Sequence, residues 1–244
     1  VDDSQVNTLV SGRLLEALGC ESACAHDGAT AVERVLQEEF DLVLMDCDMP
    51  GMDGFEATRR IRQRSPNKRL PIVAMTAHTA LGTRDRCVAA GMDGVLPKPI
   101  TLQQLRAALA RWQDSSPGRR VTVSDKQRFS SDRVLETTVL EEMLSFSRDT
   151  RFAARLLARF EMSASEDMQR IEQAAADNDL EQVGFLAHRL KGSSLNLGAV
   201  RFGETCRRAN AAASAGDIER VRSEVARLPE ALADTKLALQ RWVK

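Results

Sequence analysis

Leu42 to Met45 is a short, unbroken apolar run that stops at Asp46 and passes at once into Met49-Pro-Gly-Met-Asp-Gly54. A run of this kind is the pattern of a strand buried on both faces, which occurs inside a parallel sheet covered by helices. Pro50 and Gly51 end it. The pattern returns at Pro71–Thr76 and near Val95-Leu96, with a shorter strand candidate at Cys20–Ala25. Between these runs, apolar residues recur at helical spacing. Ser4 caps a first helix carrying Val6, Leu9, Val10, Leu14, Leu15 and Leu18, which Gly19 ends. Further helices are expected at Ala29–Glu38, from Asp53 to about Arg64, from about Leu81 to Ala90, and at Leu102–Trp112. Strands alternating with helices predict an α/β domain with a parallel, doubly wound sheet over residues 1–113.

From Asp114 the pattern changes. Residues 114–131 are polar, contain Pro, Gly and Ser, and show no periodicity, so they read as a linker. No strand pattern returns in residues 132–244. Val139–Phe146 is expected as a short leading helix, and Asp149 as the cap of a long helix running to Asn178. Asp179 caps the next, and two more fit Val200–Ala215 and Asp217–Val243, with Pro229 kinking or breaking the last. The second half is therefore expected to be an all-α, four-helix antiparallel bundle.

In the first half, the Asp2/Asp3 pair, Asp46, Thr76 and Lys98 all fall at one edge of a parallel sheet, where open α/β folds bind ligands. Each suits phosphoryl transfer. A carboxylate accepts a phosphoryl group as nucleophile. An acidic pair holds Mg²⁺ through oxygen. A lysine and a hydroxyl contact phosphoryl oxygens. Taken singly these are ordinary residues, and an Asp at a strand end often only caps a turn. Four such features at four strand ends, in order, carry more weight. Leu44-Met-Asp-Cys-Asp-Met-Pro-Gly-Met-Asp-Gly54, Met75-Thr-Ala-His78 and Lys98-Pro99 resemble the motifs of response-regulator receiver domains over about residues 1–113. The resemblance implies a flavodoxin-like, five-stranded sheet with Asp46 as phosphoacceptor. It implies Mg²⁺ held by Asp3 principally, with Asp2 beside it, Asp46, and the backbone carbonyl of Asp48. Thr76 and Lys98 would contact the phosphoryl group. Two departures stand out: Val95 replaces the family's aromatic switch residue, and only Val1 precedes the acidic pair, so the first strand is expected to be truncated.

In the second half, Gly184 and Gly192 lie one turn either side of His188, and Lys191 lies one turn beyond it. Glycine inside a helix costs about 0.5–1 kcal/mol against alanine, so two flanking a histidine need a reason; clearing the imidazole for a partner is the expected one. Leu186-Ala-His-Arg-Leu-Lys-Gly-Ser-Ser194 resembles the signature of histidine phosphotransfer (HPt) domains, over about residues 137–244. That implies His188 as the phosphorylated residue, supported by Lys191, Gly184, Gly192 and Ser193. Receiver followed by HPt resembles the C-terminal end of a bacterial hybrid sensor histidine kinase. The function implied is a phosphorelay from an upstream kinase histidine to Asp46, then His188, then a separate response regulator. A phosphate sink or reverse transfer uses the same residues. The receiver is expected to meet the HPt helix, within one chain or between two, through its first helix (Leu9, Val10, Arg13, Leu14).

Rival readings find less support. Asp46-x-Asp48 also resembles the nucleophile motif of haloacid-dehalogenase-like phosphatases, but no acidic metal pair follows Lys98 in the α/β half. A groove-reading DNA regulator needs a basic face, whereas net charge is −1 and the two signs are nearly balanced beyond Asp132. No Gly-rich nucleotide motif marks an ATP-binding kinase domain, so whether this chain is itself an enzyme stays open. The five cysteines form no CxxC pair and read as buried thiols of a reducing cytoplasm. No apolar run approaches the ~20 residues that span a bilayer. A cytoplasmic piece is expected, any inner-membrane anchor lying in segments outside this sequence.

Overall fold

The computed structural model describes residues 1–67, 69–77, 81–113, 134–137, 140–141 and 151–243. The expected linker, most of the expected leading helix, and Asp149, the expected cap of the long helix, lie outside them. The chain divides into two compact units, Val1–Gln127 and Arg128–Lys244.

The first unit alternates helix and strand: α1 (Gln5–Ala17), α2 (Gly28–Gln37), β1 (Val43–Asp46), α3 (Gly54–Arg64), β2 (Ile72–Thr76), α4 (Leu81–Ala90), β3 (Gly94–Pro97) and α5 (Leu102–Gln113). The strands form a parallel sheet in the order β1-β2-β3, with Val43 opposite Ile72 and Val73 opposite Gly94. Alternation along the strands separates two apolar layers. Val43, Met45, Ile72 and Ala74 join the core of Val32, Val35, Phe55, Ile61 and Cys87 under α2, α3 and α4. Leu44, Val73 and Met75 alternate with them, and α1 and α5 pack against each other. Helices start where short polar side chains satisfy the first free amides: Ser4 accepts from Asn7 N, Asp27 from Thr30 N, and Asp53 from Glu56 N.

Among the described residues, three strands form where five were expected. Val1 and Asp2 occupy the slot beside β1: Val1 N donates to Leu44 O (2.7 Å) and Asp46 N to Val1 O (3.1 Å). On their far side Asp2 N donates to Ala25 O (3.1 Å), but Cys20–Ala25 is irregular. A strand exists only against a ladder partner, and the partner here offers two residues. The spatial sequence of Ala25, Val1–Asp2, β1, β2 and β3 nevertheless keeps the flavodoxin-like order.

The second unit is helical: α6 (Phe152–Ala176), α7 (Leu180–Asn196), α8 (Val200–Ser214), α9 (Ile218–Val225) and α10 (Leu228–Val243). Neighbours pack antiparallel through tight turns, α7 against α6 and α8, with α9 and α10 both lying on α6 and α8. Phe160 and Phe202 meet edge to face at 6.3 Å in a core shared with Ile171, Leu186, Leu190 and Leu197. The last leg breaks between Val225 and Leu228. Pro229 then falls in the first turn of α10, where a missing N–H costs nothing. At the α7–α8 turn, Gly198 has φ +65°, and a Cβ there would overlap the Glu136 carbonyl. Glu136 N donates to Gly198 O (2.7 Å), so this turn seats the incoming chain.

Candidate functional site

The ends of β1, β2 and β3 bring Asp46, Thr76 and Lys98 to one edge of the sheet, and the Val1–Asp2 slot adds the acidic pair. Lys98 Nζ bridges two carboxylates, 2.6 Å from Asp46 Oδ2 and 2.7 Å from Asp2 Oδ2. Asp46 is 4% exposed and Asp2 2%. Thr76 is buried at the end of β2, and its carbonyl accepts from Lys98 N (2.8 Å), which ties the β3 end to the β2 end. Asp48 is exposed, and its N–H donates to Asp46 Oδ1 (3.3 Å). Carboxylate oxygens of Asp2, Asp3 and Asp46 all lie within 4.8 Å of one another. Asp3 is the less buried member of its pair. An all-oxygen, multiply anionic set of this kind suits a hard divalent cation.

The electrostatics follow from burial. Removal from water is the largest influence on the Asp46 carboxyl; Lys98 opposes it, Asp2 adds to it, and the result is a pKa raised to about 7. Burial alone would depress Lys98, but the two carboxylates outweigh it and its pKa is raised.

Two residues here escaped the sequence reading. Gly54 opens α3 so tightly against β1 that a Cβ would overlap the Asp46 carbonyl; the motif contained the glycine, but only the packing gives its reason. Asn7 donates from Nδ2 to both oxygens of Asp2, at 3.0 and 3.2 Å. Its only sequence signal was a polar residue on the apolar side of α1. Val95 packs at the margin of the core as part of β3.

In the second unit, α7 presents His188 half-buried. Arg189 forks onto the buried carboxylate of Asp167 on α6, with Nε 2.9 Å from Oδ2 and Nη2 on Oδ1. Ser193 Oγ donates to Arg189 O (3.2 Å). Lys191 is only 5% exposed, and its charge is felt at Cys206 on α8. Burial is the main cause of the raised pKa of the Cys206 thiol. The glycines do not fit the simple picture of a cleared outer face. Gly192 is buried, and a Cβ on Gly184 would meet Asn210 and Ala213 of α8 at 3.5 and 3.6 Å. On α1, likewise, Val10 and Leu14 are core residues, so the expected docking face shrinks to Leu9 and Arg13. The thiols of Cys47, Cys87 and Cys206 are buried, but Cys24 is exposed and Cys20 partly so, against the expectation that all were buried.

Among the described residues, no helix is long and apolar enough to cross a membrane. Residues 1–110 match the response regulator receiver domain family, and residues 155–238 match the Hpt domain family. The sensor protein GacS of Pseudomonas syringae pv. syringae is 35% identical over 215 residues, covering 86% of this chain and 24% of GacS. The aerobic respiration control sensor protein ArcB of Escherichia coli K12 is 30% identical over 199 residues, covering 81% of this chain and 25% of ArcB. This chain thus spans about a quarter of the length of these relatives. A solved receiver domain of a sensor histidine kinase from Pseudomonas aeruginosa PAO1, with magnesium coordinated in its active site cleft, is 39% identical. It covers 47% of this chain and 94% of its own, with a TM-score of 0.45. Residues 1–110 therefore belong to the receiver domain family and residues 155–238 to the Hpt family, which together make this chain a two-component phosphorelay module.

Proposed function

We propose that Asp46 is the phosphoacceptor of the receiver and His188 that of the HPt unit, joined by a linker at residues 114–131. The observation that carries this is the Lys98 ammonium within 2.7 Å of both Asp46 and Asp2, at the edge where three carboxylates converge. A nucleophilic Asp46 oxygen attacks the phosphorus of a phosphohistidine on an upstream kinase; the P–N bond breaks as the P–O bond forms. The lysine follows the new negative charge from the carboxylate to the phosphoryl oxygens, and the Thr76 hydroxyl donates to another. Asp3, Asp2, Asp46 and the Asp48 carbonyl would hold Mg²⁺, which when bound would supply positive charge to offset that of the phosphoryl group. A ring nitrogen of neutral His188 then attacks the same phosphorus, returning Asp46 to a carboxylate. A receiver on a separate response regulator takes the group from His188. Lys191 acts from below the surface through a low-dielectric path, and the Arg189–Asp167 fork fixes the turn that carries His188.

The test is direct phosphorylation with acetyl phosphate. Acyl phosphate should form in the parent, not in Asp46→Asn, and should be suppressed by EDTA. Acid-labile, alkali-stable phosphate should then accumulate in the parent but not in His188→Gln, and Lys191→Ala should slow its appearance. Undiminished label in Asp46→Asn, or phosphohistidine persisting in His188→Gln, overturns the assignment.

A further inference from the structure

Asn7 is 3% exposed in the first turn of α1. Ser4 Oγ already receives the Asn7 backbone N–H (3.3 Å). The amide group instead reaches out of the helix and spans the Asp2 carboxylate edge, touching both oxygens. Among the described residues, Asp2 then has three donor groups. Oδ1 accepts from Ser4 N (3.0 Å) and Asn7, and Oδ2 from Asn7 and Lys98.

These donors differ in permanence. Ser4 N belongs to the backbone, and Asn7 is packed in place. Lys98 is shared with Asp46, and on the reading above its ammonium moves toward the phosphoryl group. A carboxylate with almost no access to water that loses its cation becomes costly and free to rotate. We propose that Asn7 is a positioning residue for Asp2: it keeps both carboxylate oxygens in fixed orientation, so that the divalent-cation site persists when Lys98 engages the phosphoryl group. This rests on the assignment of Asp2, Asp3 and Asp46 as that site.

The test uses the full chain and Mn²⁺ as probe, with bound cation followed by electron paramagnetic resonance and folding by thermal melting in EDTA. Asn7→Leu removes the donor at similar volume, and Asn7→Ser keeps a shorter one. Asn7→Leu should weaken Mn²⁺ binding about tenfold, the loss expected for a hydrogen bond to a charged group, and Asn7→Ser by less. The Mg²⁺ concentration that half-saturates acetyl phosphate labelling should rise by the same factor, while the rate at saturating Mg²⁺ changes little. Mn²⁺ affinity equal to the parent's in both variants, with only the melting temperature lowered, would make Asn7 a helix-packing residue and overturn the proposal. If Asn7→Leu does not fold, parental affinity in Asn7→Ser does the same. Asp3→Asn and Asp46→Asn separate the two levels: should both bind Mn²⁺ like the parent, the cation site itself is misplaced.

Discussion

At Asp46, burial and the Asp2 carboxylate outweigh the opposing Lys98 ammonium and raise the carboxyl from its usual 3.8 to about 7. The folded state therefore keeps a proton, between about pH 4 and 7, that the unfolded chain has released. For this group stability is greatest at the acid end of that window and is lost as pH rises through it. In EDTA, Asp46→Asn removes that loss and leaves one lysine facing one carboxylate at 2.7 Å. The variant should have a higher urea midpoint than the parent at pH 8, and the difference should shrink by pH 5. A constant difference across that range would show that Asp46 is ionised throughout.

The elements meet most closely where α3 begins. Gly54 sits backbone to backbone against Asp46, so a methyl group there must push α3 away from β1 or displace Asp46. Gly54→Ala should cost about 2–3 kcal/mol, at the upper end for overpacking, and should reduce acetyl phosphate labelling with it. Gly82, in the first turn of α4, is the internal comparison, because a Cβ there meets nothing within 4 Å. Gly82→Ala should be neutral or stabilising by up to about 1 kcal/mol. Urea denaturation of the two variants side by side separates close approach from helix propensity.

On the scale of the molecule, each unit has its own apolar centre, around Ile61 and Ile72 in one and Phe160 and Phe202 in the other. Ile61 and Phe160 are each at most 1% exposed. Truncations should therefore act locally. Phe160→Ala should cost about 3–5 kcal/mol and Ile61→Ala about 2–5. In calorimetry each should lower one of two transitions and leave the other in place. A single transition that shifts with either variant would show the units to be energetically coupled. Phe160→Ala should also leave Asp46 labelling intact below its own transition.

What the chain reveals unaided is whatever is written in short-range contacts. The caps at Ser4, Asp27, Asp53, Asp179 and Asp217 each accept from an amide three residues on, so each could be anticipated from its neighbours or passed over among them. The apolar runs of β1, β2 and β3 are local too, and their order places Asp46, Thr76 and Lys98 at one edge before any contact is known. Other features depend on partners far along the chain. Cys20–Ala25 has strand-like composition, but its pairing is decided by Val1–Asp2. The Lys98–Asp2 bridge joins residues 96 apart. Asn7 is only five residues from Asp2, yet the contact forms because Val1–Asp2 is held in the slot beside β1. Gly184 and Gly192 are visible as an oddity beside His188, but only the fold shows that Gly184 lies against α8 and that Gly192 is buried. Backbone propensity and capping act within one turn of helix and survive as pattern. Burial, charge pairing and steric approach belong to side chains brought together only when the layers close.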